Sequence, residues 1–71
     1  MEKAALLKLL GKRIKAIREQ KGVTQQELAA LCNFEKSNLS RIEAGRSNVT
    51  IHTLNKIATS LKVSISDLVN L

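Results

Sequence analysis

The chain has 71 residues with a hydrophobic share of 44%, and its 12 basic against 6 acidic residues give a formal charge of +6. That length holds one small core, the apolar share excludes global disorder, and the lack of proline with only three glycines argues against a turn-rich β fold. The charge points to a polyanionic partner, but a single phenylalanine offers no platform for stacking unpaired bases, and one cysteine with one histidine cannot furnish a four-ligand zinc site.

In the first segment Leu6, Leu10, Ile14 and Ile17 recur every three to four residues, with Leu7 beside them, which predicts an amphipathic helix. Lysines and arginines fill its other face. Residues 1–23 carry seven basic and two acidic side chains, so +5 of the +6 lies there. Lys12 and Arg13 are candidates to touch flanking phosphates, although a solvated face is the plainer reading of these charges. The apolar stretch Ala4 to Leu10 is interrupted by Lys8 and is too short to span a bilayer. No small-residue cleavage site follows it, so a soluble, cytoplasmic protein with no membrane partner is expected. Cys32 alone can form no internal disulfide, which fits a reducing compartment. Gly22 ends the helix in a left-handed conformation.

Thr24-Gln25-Gln26-Glu27 reads as a capping box, opening a short helix with Leu28, Ala29 and Leu31 as its inner face. Asn33 is a left-handed terminator. Phe34 begins a third element whose apolar stripe is Leu39 and Ile42, and Gly45 stops it. A mostly polar loop from Arg46 to Thr50 follows. Thr50 caps a fourth helix with Ile51, Leu54, Ile57, Ala58 and Leu61 facing inward, and Ser66 and Asp67 open a last short turn carrying Leu68, Val69 and Leu71. The expected architecture is all-α, five helices in one domain over residues 1–71. His52 is a surface or cap residue with no catalytic partner, and Cys32 is a small buried apolar residue. With no glycine-rich phosphate cradle either, no catalytic activity, metal, cofactor or small-molecule ligand is expected.

Two short helices joined by a three- to four-residue turn, here Thr24 to Gly45, form a helix-turn-helix arrangement. Spacing alone does not separate it from any helical hairpin; residue identities do. Gln25-x-Glu27-Leu28-Ala29 followed by Ser40-x-Ile42-Glu43-x-Gly45 resembles the Cro/repressor (XRE) family of DNA-binding domains. Leu10-Gly11-x-x-Ile14-x-x-Ile17-Arg18 and Thr53-Leu54-x-Lys56-Ile57-Ala58 resemble that family's first and fourth helices, so the likeness covers roughly residues 9 to 69. It implies a lambda-repressor-like fold with the motif in helices 2 and 3, and double-stranded DNA as partner. It places Lys36, Ser37 and Arg41 at base-reading positions, where lysine or arginine donates to guanine O6 and N7. It places Gln25, Asn38, Arg46, Ser47 and Asn48 against phosphates, which fix register without reading sequence. It makes Arg18 and Glu43 a structural ion pair. The chain departs from the family at Asn33 for a common glycine, Ala44 for a frequent asparagine and Val49 for a frequent proline. Glu35, just before the reading face, would repel phosphates if it pointed at them.

One recognition helix buries little DNA surface. The expected function is therefore a sequence-specific transcription regulator that binds a pseudo-palindromic operator as a homodimer. The C-terminal cluster Ile65, Leu68, Val69 and Leu71 is the candidate dimer interface, the alternative being that it packs on the domain's own core. Small stand-alone members of the family include restriction–modification controllers, phage repressors and antitoxins. Two other classes compete: a protein-interaction module on the same fold, and membrane-surface binding by the basic first helix. Lys36, Ser37 and Arg41 favour DNA over the first, and the need for the first helix's apolar stripe in the core argues against the second.

Overall fold

A computed structural model describes residues 2–71 as five α-helices: α1 (Lys3–Gln20), α2 (Gln25–Cys32), α3 (Lys36–Glu43), α4 (Ile51–Leu61) and α5 (Ile65–Leu68). No strand occurs among the described residues, and no helix there is long and apolar enough to cross a membrane. Three helix starts are set by side-chain oxygens. The Glu27 N–H donates to Thr24 Oγ1 while the Thr24 N–H donates to Glu27 Oε1. The Thr53 N–H donates to Thr50 Oγ1. Ser64 and Asp67 form a second capping box. Each cap satisfies first-turn donors that have no partner inside the helix and contributes about 1 kcal/mol. The last helix therefore opens at Ser64, two residues before the start expected from Ser66 and Asp67, because Asp67 acts as the third helical residue reaching back to the cap.

The helix ends rely on left-handed residues. Asn33 (φ 58°) closes α2 and Lys62 (φ 59°) closes α4. Asparagine reaches this region at little cost; lysine has no local hydrogen bond to offset the strain, so nothing in its sequence signals it.

The core takes one wholly buried side chain from each helix: Ile14, Leu28, Leu39, Ile57 and Leu68. Burial of each contributes about 1.5–3 kcal/mol. Leu10, Ile17, Ala29, Cys32, Ile42, Leu54, Ala58 and Leu61 complete the cluster.

Four sequence-based placements are corrected. Leu31 is 62% exposed, because Leu28, Ala29 and Cys32 form the buried arc of α2, with Cys32 against Lys56 and Ser60 of α4, and Leu31 lies outside that arc. Ile51 is 70% exposed, since it sits in the first turn of α4 ahead of the core. Leu6 is likewise exposed near the start of α1. Leu68 is fully buried in the chain's own core, which removes it from any surface available to a partner.

α1 crosses the C-terminal end of α3 at van der Waals limits. Gly11 is buried there, and a Cβ on it would overlap the carbonyl oxygens of Ile42 and Glu43. Only glycine allows the two backbones to approach so closely. Two residues past α3, Gly45 has φ 74°, and a Cβ on it would lie 2.7 Å from Lys8 Cα. The two glycines seat α1 on α3 and thereby fix how α3 is presented to solvent.

Candidate nucleic-acid interface

The α2–α3 corner is a backbone device. Asn33 turns the chain, the Phe34 N–H donates to the Ala29 carbonyl at 2.8 Å, and the half-buried Phe34 ring packs against the core with the Lys56 ammonium 5.6 Å from its centroid. The turn delivers α3 with Leu39 and Ile42 inward, so helical periodicity obliges Lys36, Ser37, Ser40 and Arg41 to face out, and all four are exposed. The α3 N-terminus has no side-chain cap and no acidic residue in its first turn. Its free N–H groups and positive dipole end face solvent and favour an anion.

Arg41 donates from Nη2 to Asn38 Oδ1, one turn back on the same face. The two residues expected at a base and at a phosphate are thus a coupled pair. Arg46 and Asn48 are exposed in the following loop and Ser47 is half-buried, its hydroxyl donating to the Asn48 carbonyl at 3.3 Å. Phe34, Asn38, Ile42, Ser47, Asn48 and Thr53 line a shallow cleft between α3, this loop and the start of α4. Lys36 and Arg41 on α3 and Arg46 in the loop after it are exposed cations, and Glu35, just before α3, is an exposed anion.

Gln25, the first residue of α2, is half-buried and donates from Nε2 to Glu43 Oε1 at 2.9 Å. Glu43 also receives Arg18 Nε on Oε2 at 2.7 Å and Arg18 Nη2 on Oε1 at 3.1 Å. Arg18 Nη1 donates to the Val23 carbonyl at 2.8 Å. The hydrogen bond to Glu43 raises the Arg18 pKa further above its already high ordinary value, so the guanidinium stays charged. Both side chains are buried, and among the described residues no buried side-chain polar atom is left without a partner. The link from Gln25 into this ion pair has no local sequence signal: 18 residues separate Gln25 from Glu43.

Arg13, a candidate for a flanking phosphate, is held at one of its nitrogens. Its Nε donates to the Asp67 carbonyl at 2.9 Å, which ties α1 to α5. Lys12 is exposed. In the C-terminal cluster Ile65 is partly buried against the core, while Val69 and Leu71 are 44% and 52% exposed.

Two short helices at a left-handed corner, the second with a polar outward face and an open N-terminus, define the class: a helix-turn-helix domain on a five-helix frame. A family model described as Helix-turn-helix (HTH_3) matches residues 14–68, and the chain belongs to this family of XRE-type transcriptional regulators. It is 42% identical over 62 residues, covering 87% of the chain and 80% of the relative, to an uncharacterized HTH-type transcriptional regulator, y4dJ, of Sinorhizobium fredii. Its fold is that of lambda-repressor-like regulators. The restriction-modification controller protein C.AhdI from Aeromonas hydrophila superposes with a TM-score of 0.84 at 34% identity, covering 92% of this chain and 97% of the other. SinR, a master regulator for biofilm formation solved in complex with DNA, superposes with a TM-score of 0.80 at 39% identity, covering 86% and 98%.

Proposed function

We propose that the chain is a sequence-specific, double-stranded DNA-binding transcriptional regulator that inserts α3 into the major groove. The observation that carries this is the outward face of α3. Lys36 and Ser37 stand exposed at an uncapped helix N-terminus and Arg41 stands exposed in the last turn, while Leu39 and Ile42 hold the opposite face in the core. Lys36 and Arg41 donate to base edges and Ser37 admits either pairing. Gln25, Asn38, Arg46, Ser47 and Asn48 hold phosphates on both sides. The likeness to SinR, a relative solved with DNA, supports the same mode of docking.

Residues 1–71 act as one DNA-binding domain, and the active species is a homodimer on a pseudo-palindromic operator with half-sites about 34 Å apart or a multiple of it. Pairing doubles an interface too small to be specific alone. Val69 and Leu71, with the edge of Ile65, supply its apolar surface. Selection of bound duplexes from a random library, followed by fluorescence anisotropy on the enriched site, tests the proposal. It expects inverted half-sites and salt-sensitive binding; a library that yields no enriched sequence contradicts it.

A further inference from the structure

We propose that Glu43 is a positioning residue for DNA binding, acting through Gln25, in addition to its place in the ion pair with Arg18. The inference rests on the phosphate-binding role of Gln25 proposed above. Glu43 Oε2 is occupied by Arg18 Nε, and Oε1 is shared between Arg18 Nη2 at 3.1 Å and Gln25 Nε2 at 2.9 Å. Arg18 Nη1 closes the circuit on the Val23 carbonyl, one residue before the cap of α2. One buried carboxylate therefore joins the end of α3 to the first residue of α2.

Three consequences follow from the chemistry. A carboxylate only accepts, so Glu43 obliges Gln25 to turn its nitrogen inward and cannot tolerate the flipped amide. One amide hydrogen is used on Glu43, and the second remains to donate. It lies at the N-terminus of α2, where the backbone N–H groups of Gln25 and Gln26 have no helical acceptor and the Thr24 hydroxyl is taken by the Glu27 N–H. Donors presented together in this way suit a tetrahedral phosphate. A glutamine free in solvent loses its rotamer freedom when it captures an anion, whereas Gln25 has already lost it on folding. Arg18 completes the device. A bare carboxylate this near a phosphate would repel it, and the two-pronged guanidinium contact neutralises Glu43 without occupying the outward side of Gln25.

The test is a double-mutant cycle read by fluorescence anisotropy on a random-sequence duplex at low salt, with protein concentrations corrected for the folded fraction measured by circular dichroism. Glu43→Asp keeps the charge that compensates Arg18 but withdraws the carboxylate by one methylene from Gln25. With Gln25 present it is expected to weaken binding roughly two- to tenfold, the cost of ordering one long side chain. In the Gln25→Ala background it is expected to change nothing. Equal losses in both backgrounds, or no loss where Gln25→Ala has one, overturn the positioning role. If Gln25→Ala binds like the unaltered chain, the positioning role falls together with the phosphate contact while duplex binding stands. If the unaltered chain binds no duplex, the function itself falls. Should Glu43→Asp not fold, side-chain 15N relaxation on the unaltered, DNA-free protein decides. The Gln25 amide is expected to be as ordered as the backbone, with the exposed Gln20 and Gln26 amides mobile; a Gln25 amide as mobile as theirs overturns the inference.

Discussion

At the scale of single residues, side chains that choose a sequence and side chains that only hold DNA are expected to respond differently to truncation. Lys36 is proposed to be of the first kind. Lys36→Ala is expected to lose about 1–3 kcal/mol of discrimination at one base pair while affinity for random duplex falls much less. Gln25→Ala is expected to weaken binding to every duplex alike, measured by anisotropy on an enriched and a scrambled site. Arg41 and Asn38 hold each other before any DNA arrives, so their alanine substitutions are expected to be less than additive in a double-mutant cycle. The identities at 36, 37 and 41 were open to reading, because the surrounding pattern resembles a known family. The Arg41–Asn38 and Gln25–Glu43 contacts were not. Whether a long side chain reaches its neighbour depends on rotamers and on the approach of separate helices, neither of which periodicity encodes.

At the scale of elements, the presentation of α3 depends on how closely α1 crosses it. Gly11→Ala pushes a methyl group into the carbonyls of Ile42 and Glu43 and is expected to destabilise the fold by about 1–3 kcal/mol in urea unfolding. The two capping boxes give the fold a pH dependence of known sign. Hydrogen bonds from the Thr24 and Ser64 backbones hold the Glu27 and Asp67 carboxyls below the usual carboxylate range. A carboxylate with a lowered native pKa contributes stability that is fully present above its unfolded pKa and disappears as pH falls through the native one. Thermal stability is therefore expected to decline as pH drops below about 4, and Glu27→Gln with Asp67→Asn is expected to flatten that decline. Helix existence and most caps were legible from apolar spacing and from Thr24, Asn33, Gly45 and Thr50, since these act locally. The exposure of Leu31 and Ile51 is not legible from hydrophobicity alone, because it depends on the neighbouring helices: the buried arc of α2 runs through Leu28, Ala29 and Cys32, with Cys32 against α4. The start of α5 is not legible in the sequence because Ser64 and Ser66 both suit a cap, and only the reach of Asp67 decides between them.

At the scale of the whole molecule, charge and recognition are separated. Residues 1–23 hold +5 of the net +6, yet the outward face of α3 lies elsewhere, and Arg13 and Arg18 of α1 make hydrogen bonds within the fold. Arg18→Ala strands the Glu43 carboxylate among buried groups and is expected to cost about 3–5 kcal/mol, read by thermal unfolding. Oligomeric state is the other property set at this scale. With Leu68 inside the core, dimerisation would depend on Val69 and Leu71, and Val69→Asp with Leu71→Asp is expected to give a monomer by light scattering that binds a single half-site weakly. That α3 reads duplex DNA is the proposal on which the other expectations depend. Its most direct measurement is an anisotropy titration of the site enriched from a random library against a scrambled duplex, over a range of salt concentrations, for the unaltered chain and for Lys36→Ala. Binding to both duplexes is expected to weaken with salt, the enriched site to be preferred, and Lys36→Ala to reduce that preference by the discrimination at its base pair. Equal affinity for both duplexes, or a preference that survives Lys36→Ala intact together with Ser37→Ala and Arg41→Ala, would contradict it.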